Sequence, residues 1–194
     1  MTETPVGRRE RKKAATRKAL ADAALELFVA RGFDQVGVRE IAEAADVSTA
    51  TLFKHFPGKE ALVFDEDEAL EAALVSSVRD RPAGQSVVTA LREYIVRRMD
   101  DRSQDPAIGQ LRELIHSTPA LIEYGQRLWM RHETSLARAI AEAHGLPEDD
   151  PACAALAHFA LAARFLRQRR SAPEESVDRA FDLLEHGWAA LSAH

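Results

Sequence analysis

The chain has 194 residues, 46% of them hydrophobic, with only eight Pro and nine Gly, a composition that points to an all-α fold with one good core or a small domain fused to a larger one. Its single cysteine, Cys153, excludes an intramolecular disulfide and suits a reducing compartment. The formal net charge of −5 is laid out unevenly: residues 1–18 hold seven basic groups against two acidic ones, whereas residues 61–194 hold 15 basic and 22 acidic. That asymmetry suits a basic end that meets a polyanion and an acidic body that does not.

Residues 1–7 lack apolar periodicity and contain Pro5 and Gly7. From Glu10 to Ala30 the sequence predicts a helix, because Leu20, Ala24, Leu27 and Phe28 form one stripe at i, i+4, i+7 and i+8. Gly32 is the expected stop, with Phe33 folding back after it. A second helix is expected over 38–45, burying Ile41, Ala42 and Ala45. The chain then turns through Ala45-Asp46-Val47-Ser48. Ser48 is placed to cap a third helix running to Phe56, and Val47 and Leu52 stand at the two positions of a hydrophobic staple.

Beyond Pro57-Gly58 the helices lengthen, with spans expected over 59–80, 85–101, 105–117, 119–144, 150–170 and 174–192, nine in all. Each break contains Pro or Gly. No strand-like alternation, repeat, signal-peptide pattern or membrane-length apolar run is present, so a cytoplasmic protein is expected.

Two short helices joined by a tight turn, the second capped by Ser48, describe a helix-turn-helix. In the second, Leu52 and Phe56 face inward, which leaves Thr49, Ala50, Phe53 and Lys54 outward and Thr51 and His55 on the flanks. An exposed Phe beside Lys suits thymine methyl groups and phosphates.

The run Ala23-Ala24-Leu25-Glu26-Leu27-Phe28, then Arg31-Gly32-Phe33, Val38-Arg39-Glu40-Ile41-Ala42, Val47-Ser48 and Thr51-Leu52-Phe53-Lys54-His55-Phe56-Pro57-Gly58-Lys59-Glu60-Ala61-Leu62 resembles the DNA-binding head of the TetR family of bacterial regulators. The resemblance covers residues 12–65; the remainder is similar only in length and helicity. It implies a DNA-binding domain over 1–58 and an effector-binding and dimerisation domain over 59–194. It also implies DNA contacts from Arg39, Thr49, Ala50, Thr51, Phe53, Lys54 and His55, with Lys59 on a phosphate. Three departures from the family pattern bear on this. Gly37 stands where a capping Thr or Ser is usual, Phe53 replaces Tyr, and Asp46 takes a turn position usually held by Gly. The basic segment Arg8–Lys13 could follow the DNA backbone or enter the minor groove.

The resemblance further implies a small effector and a homodimer on a pseudo-palindromic operator. Tyr94, Met99, Leu114, His116, Tyr124 and Trp129 are the candidate lining of an apolar pocket, although an apolar stripe at helical spacing also describes plain core. For the dimer, Ala155, Leu156, Phe159, Ala160 and Ala163 are expected along one side of a helix that is apolar almost all round. Val177, Phe181, Leu184 and Trp188 extend that face on the next helix. No catalytic triad, phosphate loop, metal-ligand set or cofactor motif appears, so no enzyme is expected. The leading expectation is a repressor released by an apolar effector. A ligand-independent regulator, or an activator working through protein partners, stays open beside it.

Overall fold

The computed structural model describes residues 7–103, 106–163 and 173–192, and side chains at Met99 and at the margins of these stretches lie outside that description. Among the described residues there are ten helices and no strand: α1 (Arg8–Arg31), α2 (Val38–Ala44), α3 (Thr49–His55), α4 (Lys59–Val63), α5 (Asp67–Arg79), α6 (Val87–Ser103), α7 (Pro106–Ser117), α8 (Pro119–His144), α9 (Pro151–Ala163) and α10 (Pro173–Ser192). None is long and apolar enough to cross a membrane.

The sequence predicts one helix over 59–80; the structure has two, parted by a turn at 64–66. The cause lies in α1. The Arg17 guanidinium takes the Asp65 carbonyl (Nη2 to O, 3.0 Å) and its carboxylate (Nε to Oδ1, 2.6 Å), while the Asp67 N–H bonds back to the Phe64 carbonyl in a tighter turn. The Asp65 carbonyl thereby finds a partner at the break, where the helical ladder is interrupted.

The chain divides into two compact units, residues 1–67 with 106–125, and 68–105 with 126–194. In the first, Leu20, Ala24 and Phe28 of α1 meet Ile41 and Ala42 of α2, Leu52 of α3 and Leu62 of α4 in one core. Leu114 of α7 and Leu121 of α8 belong to that same core, so the first unit extends beyond the three-helix head. In the second unit, Leu74, Val78, Leu91, Leu136 and Ile140 pack with Cys153, Leu156, Ala160, Phe181 and Trp188.

This second core corrects the expected dimer stripe. Leu156, Ala160 and Ala163 of α9, and Val177, Phe181 and Trp188 of α10, are buried inside their own subunit. Residues 164–170 of the helix expected over 150–170 lie outside the described residues. What α9 turns outward is Ala154, Ala155, His158 and Phe159.

Candidate nucleic-acid interface

The interface is set up by local capping chemistry. Gly32 ends α1 at φ +83°, where a side chain would be strained, and its N–H reaches the Phe28 carbonyl at 2.8 Å. Gly37 precedes α2 and has no hydroxyl to offer, but Glu40 reaches back and accepts from the Gly37 N–H at 2.9 Å. That bond, then Arg31 Nη1 at 2.7 Å, holds the Glu40 carboxyl below the usual carboxylate range. Half a capping box therefore survives the loss of the usual Thr or Ser. Asp46 turns the chain at φ +52°, the left-handed conformation expected of it. Ser48 then caps α3 by accepting from the Thr51 N–H at 3.1 Å.

On α3, Leu52 and Phe56 are buried, with 0% and 1% of their surface exposed, while Phe53 keeps 52% of its surface open. Ala50 and Lys54 are exposed beside it, and Thr49, Thr51 and His55 are half-buried. Lys54 makes no ion pair or hydrogen bond with any described residue, so its charge is available to an outside partner. Arg39, at the start of α2, is exposed and held by Glu43 at 2.8 Å in an i,i+4 pair that is fully wet and easily exchanged. Burial, then the Arg17 and Lys13 charges, pushes the His55 imidazole below its ordinary value.

Lys59 is placed differently from its neighbours. Its ammonium donates to the Phe33 carbonyl at 2.8 Å and the Val36 carbonyl at 3.1 Å, and sits 4.0 Å from the centroid of the Phe33 ring. This ties the loop between α1 and α2 to the start of α4. Lys59→Gln is expected to lower thermal stability by about 2 kcal/mol, the scale of two part-buried charge-assisted bonds. Circular-dichroism melting checks this, and an unchanged midpoint would mean that water replaces the ammonium at no cost.

The basic segment is helical from Arg8 onward, not an extended arm. Arg8, Arg9, Lys12 and Lys13 fall at i, i+1, i+4 and i+5, all exposed and on one side of α1.

The candidate effector residues divide between the two units. In the first, Leu114 is core, His116 is exposed and Tyr124 stacks on Phe64 at 5.5 Å between centroids. In the second, the Tyr94 hydroxyl donates to the Leu70 carbonyl at 3.4 Å, and the Trp129 indole N–H donates to Glu133 at 3.2 Å. Met99 has its side chain outside the described residues. Within the second unit a groove of about 600 Å³ runs past Glu71, Val75, Arg79, Arg131 and Arg138, none of them a sequence candidate.

Comparison with known proteins settles the family. The model described as "Bacterial regulatory proteins, tetR family" matches residues 20–65, and that of the MftR C-terminal domain matches residues 81–193. The chain belongs to the TetR family. This TetR-family chain is 34% identical over 151 residues to the transcriptional regulator TcmR of Streptomyces glaucescens, covering 74% of this chain and 67% of that one. It is 28% identical over 197 residues to MftR of Mycobacterium tuberculosis, a regulator named for mycofactocin biosynthesis, with 98% of each chain covered. Among solved structures, the TetR-family repressor FadR of Thermus thermophilus in complex with lauroyl-CoA aligns at a TM-score of 0.53 and 25% identity, over 88% of this chain and 94% of that one. The protein is thus a TetR-type DNA-binding transcriptional regulator, and residues 20–65 are its helix-turn-helix head.

Two residues that organise this head escaped the sequence reading. Glu40 was legible in principle, three residues after the cap position. Arg17 was not, because its partners stand 38 and 48 residues away.

Proposed function

We propose that the protein is a homodimeric repressor that holds a pseudo-palindromic operator through Arg39, Thr49, Ala50, Thr51, Phe53, Lys54 and His55, and that an apolar effector releases it. The observation that carries the DNA reading is the outer face of α3, where Phe53 at 52% exposure stands beside a Lys54 that pairs with no described residue. An aromatic ring so exposed is unfavourable in water and favourable against thymine methyl groups. Residues 1–58 read the DNA in this scheme, and residues 59–194 take the effector and form the dimer. Lys59, engaged by two carbonyls, contributes by fixing the head.

The dimer face is the outward side of α9 and α10, where Phe159 is 57% and Leu183 75% exposed. Large apolar side chains left open on two adjacent helices suit a face that a second copy covers. An acyl-chain effector is favoured because FadR, similar over most of its length, binds lauroyl-CoA. Release follows if the effector binds the DNA-free conformation more tightly than the bound one.

The test is fluorescence anisotropy with a duplex that the full-length protein enriches from a random library, titrated in salt and then with lauroyl-CoA. Binding that falls steeply with salt and is reversed by the acyl-CoA is expected. Enrichment of no duplex would sink the DNA reading. Binding indifferent to acyl-CoA, with no acyl-CoA raising the melting temperature, would favour the ligand-independent regulator.

A further inference from the structure

Arg17 makes no contact with the outer face of α3, yet it holds that helix. Its Nη1 donates to the His55 carbonyl at 3.0 Å, and its Nη2 to the Asp65 carbonyl at 3.0 Å. Its Nε pairs with the Asp65 carboxylate at 2.6 Å, and its guanidinium carbon lies 4.5 Å from the centroid of the Phe56 ring. All three nitrogens are engaged, and the side chains of Arg17 and Asp65 keep only 30% and 26% of their surface open. The fork thus spans the last residue of α3 and the turn at 64–66, two residues before the chain enters the second unit at Glu68.

A seven-residue helix is not stable alone, and its direction is set by what holds its ends. Ser48 holds the first turn of α3 and the buried Leu52 its middle. At the last turn, where unpaired carbonyls and the helix dipole favour a cation, Arg17 adds its charge to that of Lys54 and ties down the His55 carbonyl. A lysine would bring the charge but not the planar fork that reaches two carbonyls while its third nitrogen lies against a carboxylate.

We propose that Arg17 is a positioning residue for DNA recognition, clamping the end of α3 to the turn at 64–66, so that the angle at which α3 meets DNA depends on where that turn sits. This rests on the reading of α3 as the recognition helix.

The experiment uses full-length Arg17→Lys, Arg17→Gln and Asp65→Asn, the enriched duplex and a scrambled one, and amide hydrogen exchange without DNA. In Arg17→Lys the preference for the enriched duplex is expected to fall about tenfold, the size of one lost base-pair discrimination, with the salt slope unchanged. Exchange at the amides of Lys54, His55 and Phe56 should quicken several-fold while that across α2 stays level. Arg17→Lys with preference and exchange both intact would overturn the proposal. So would Arg17→Gln losing about 0.9 from the salt slope on both duplexes alike, since that marks a direct phosphate contact.

If the Arg17 variants fail to fold, Asp65→Asn decides, because it weakens one arm and leaves both carbonyls in place. Faster exchange confined to the end of α3 supports the clamp; a uniform rise over the first unit overturns it. Enrichment of no duplex would remove the recognition reading, while the exchange data would still judge the clamp on its own.

Discussion

Phe159→Glu is expected to give a folded monomer that has lost most of its affinity for the operator. Phe159 is 57% exposed, and its ring neighbour among the described residues is His158 at 5.4 Å between centroids, so the substitution removes little from the subunit's own core. Across a two-fold interface the same change is made twice, and each carboxylate must be buried without a partner, at a cost of several kcal/mol. Once the dimer is lost, the second half-site is no longer an intramolecular target, and operator affinity should fall by about 10²–10⁴. The contrast with Ala160→Glu is instructive. Ala160 is 0% exposed within its subunit, so a glutamate there disrupts the core and says nothing about assembly. Size-exclusion chromatography with light scattering, backed by circular dichroism, reads the result for Phe159→Glu and for Leu183→Glu. Two folded variants that both remain dimeric would place the symmetry axis away from this face.

How much of this was legible in the sequence depended on the range of the interactions. The Ser48 cap, the left-handed Asp46 and the positive-φ Gly32 are decided within four residues, and the sequence reading of each agrees with the structure. The break at 64–66 is decided by Arg17, 48 residues earlier, and the local pattern, a run of helix-forming residues, points the other way. Leu114 and Leu121 look like any apolar positions on their helices, yet they close the core of a head that begins nearly a hundred residues upstream. The α9 helix shows a different limit. Its composition announces burial all round but not which side meets its own subunit: of the expected dimer stripe, Leu156, Ala160 and Ala163 are core while Ala155 and Phe159 face outward. Lys59 shows the same limit at the interface, since a lysine at a helix start reads equally as a phosphate contact or as a tie to carbonyls. The effector residues were the least legible. Apolar spacing cannot tell a pocket from a core, and Leu91 and Ile95, on the same helix face as Tyr94, are core.

Removal of residues 1–13 should leave the fold intact and flatten the salt dependence of DNA binding more than any point substitution. The first buried side chain of α1 is Leu20, and Arg17 is retained, so neither the head's core nor the tie between α3 and the 64–66 turn is touched. What goes is the exposed side bearing Arg8, Arg9, Lys12 and Lys13, with Arg11 between them. Because these residues sit on a helix, four cations stand along about two turns, a spacing that can track successive phosphates without inserting into a groove. Each phosphate neutralised contributes about 0.9 to the slope of log affinity against log salt, so loss of four contacts should lower the slope by about 3–4. The same loss should weaken the enriched and scrambled duplexes together, because backbone charge carries no sequence information. Anisotropy titrations between low and physiological salt measure both quantities. A truncated protein with an unchanged slope would show that these cations stay solvated in the complex, leaving Lys54 and Arg39 to carry the electrostatic share of binding.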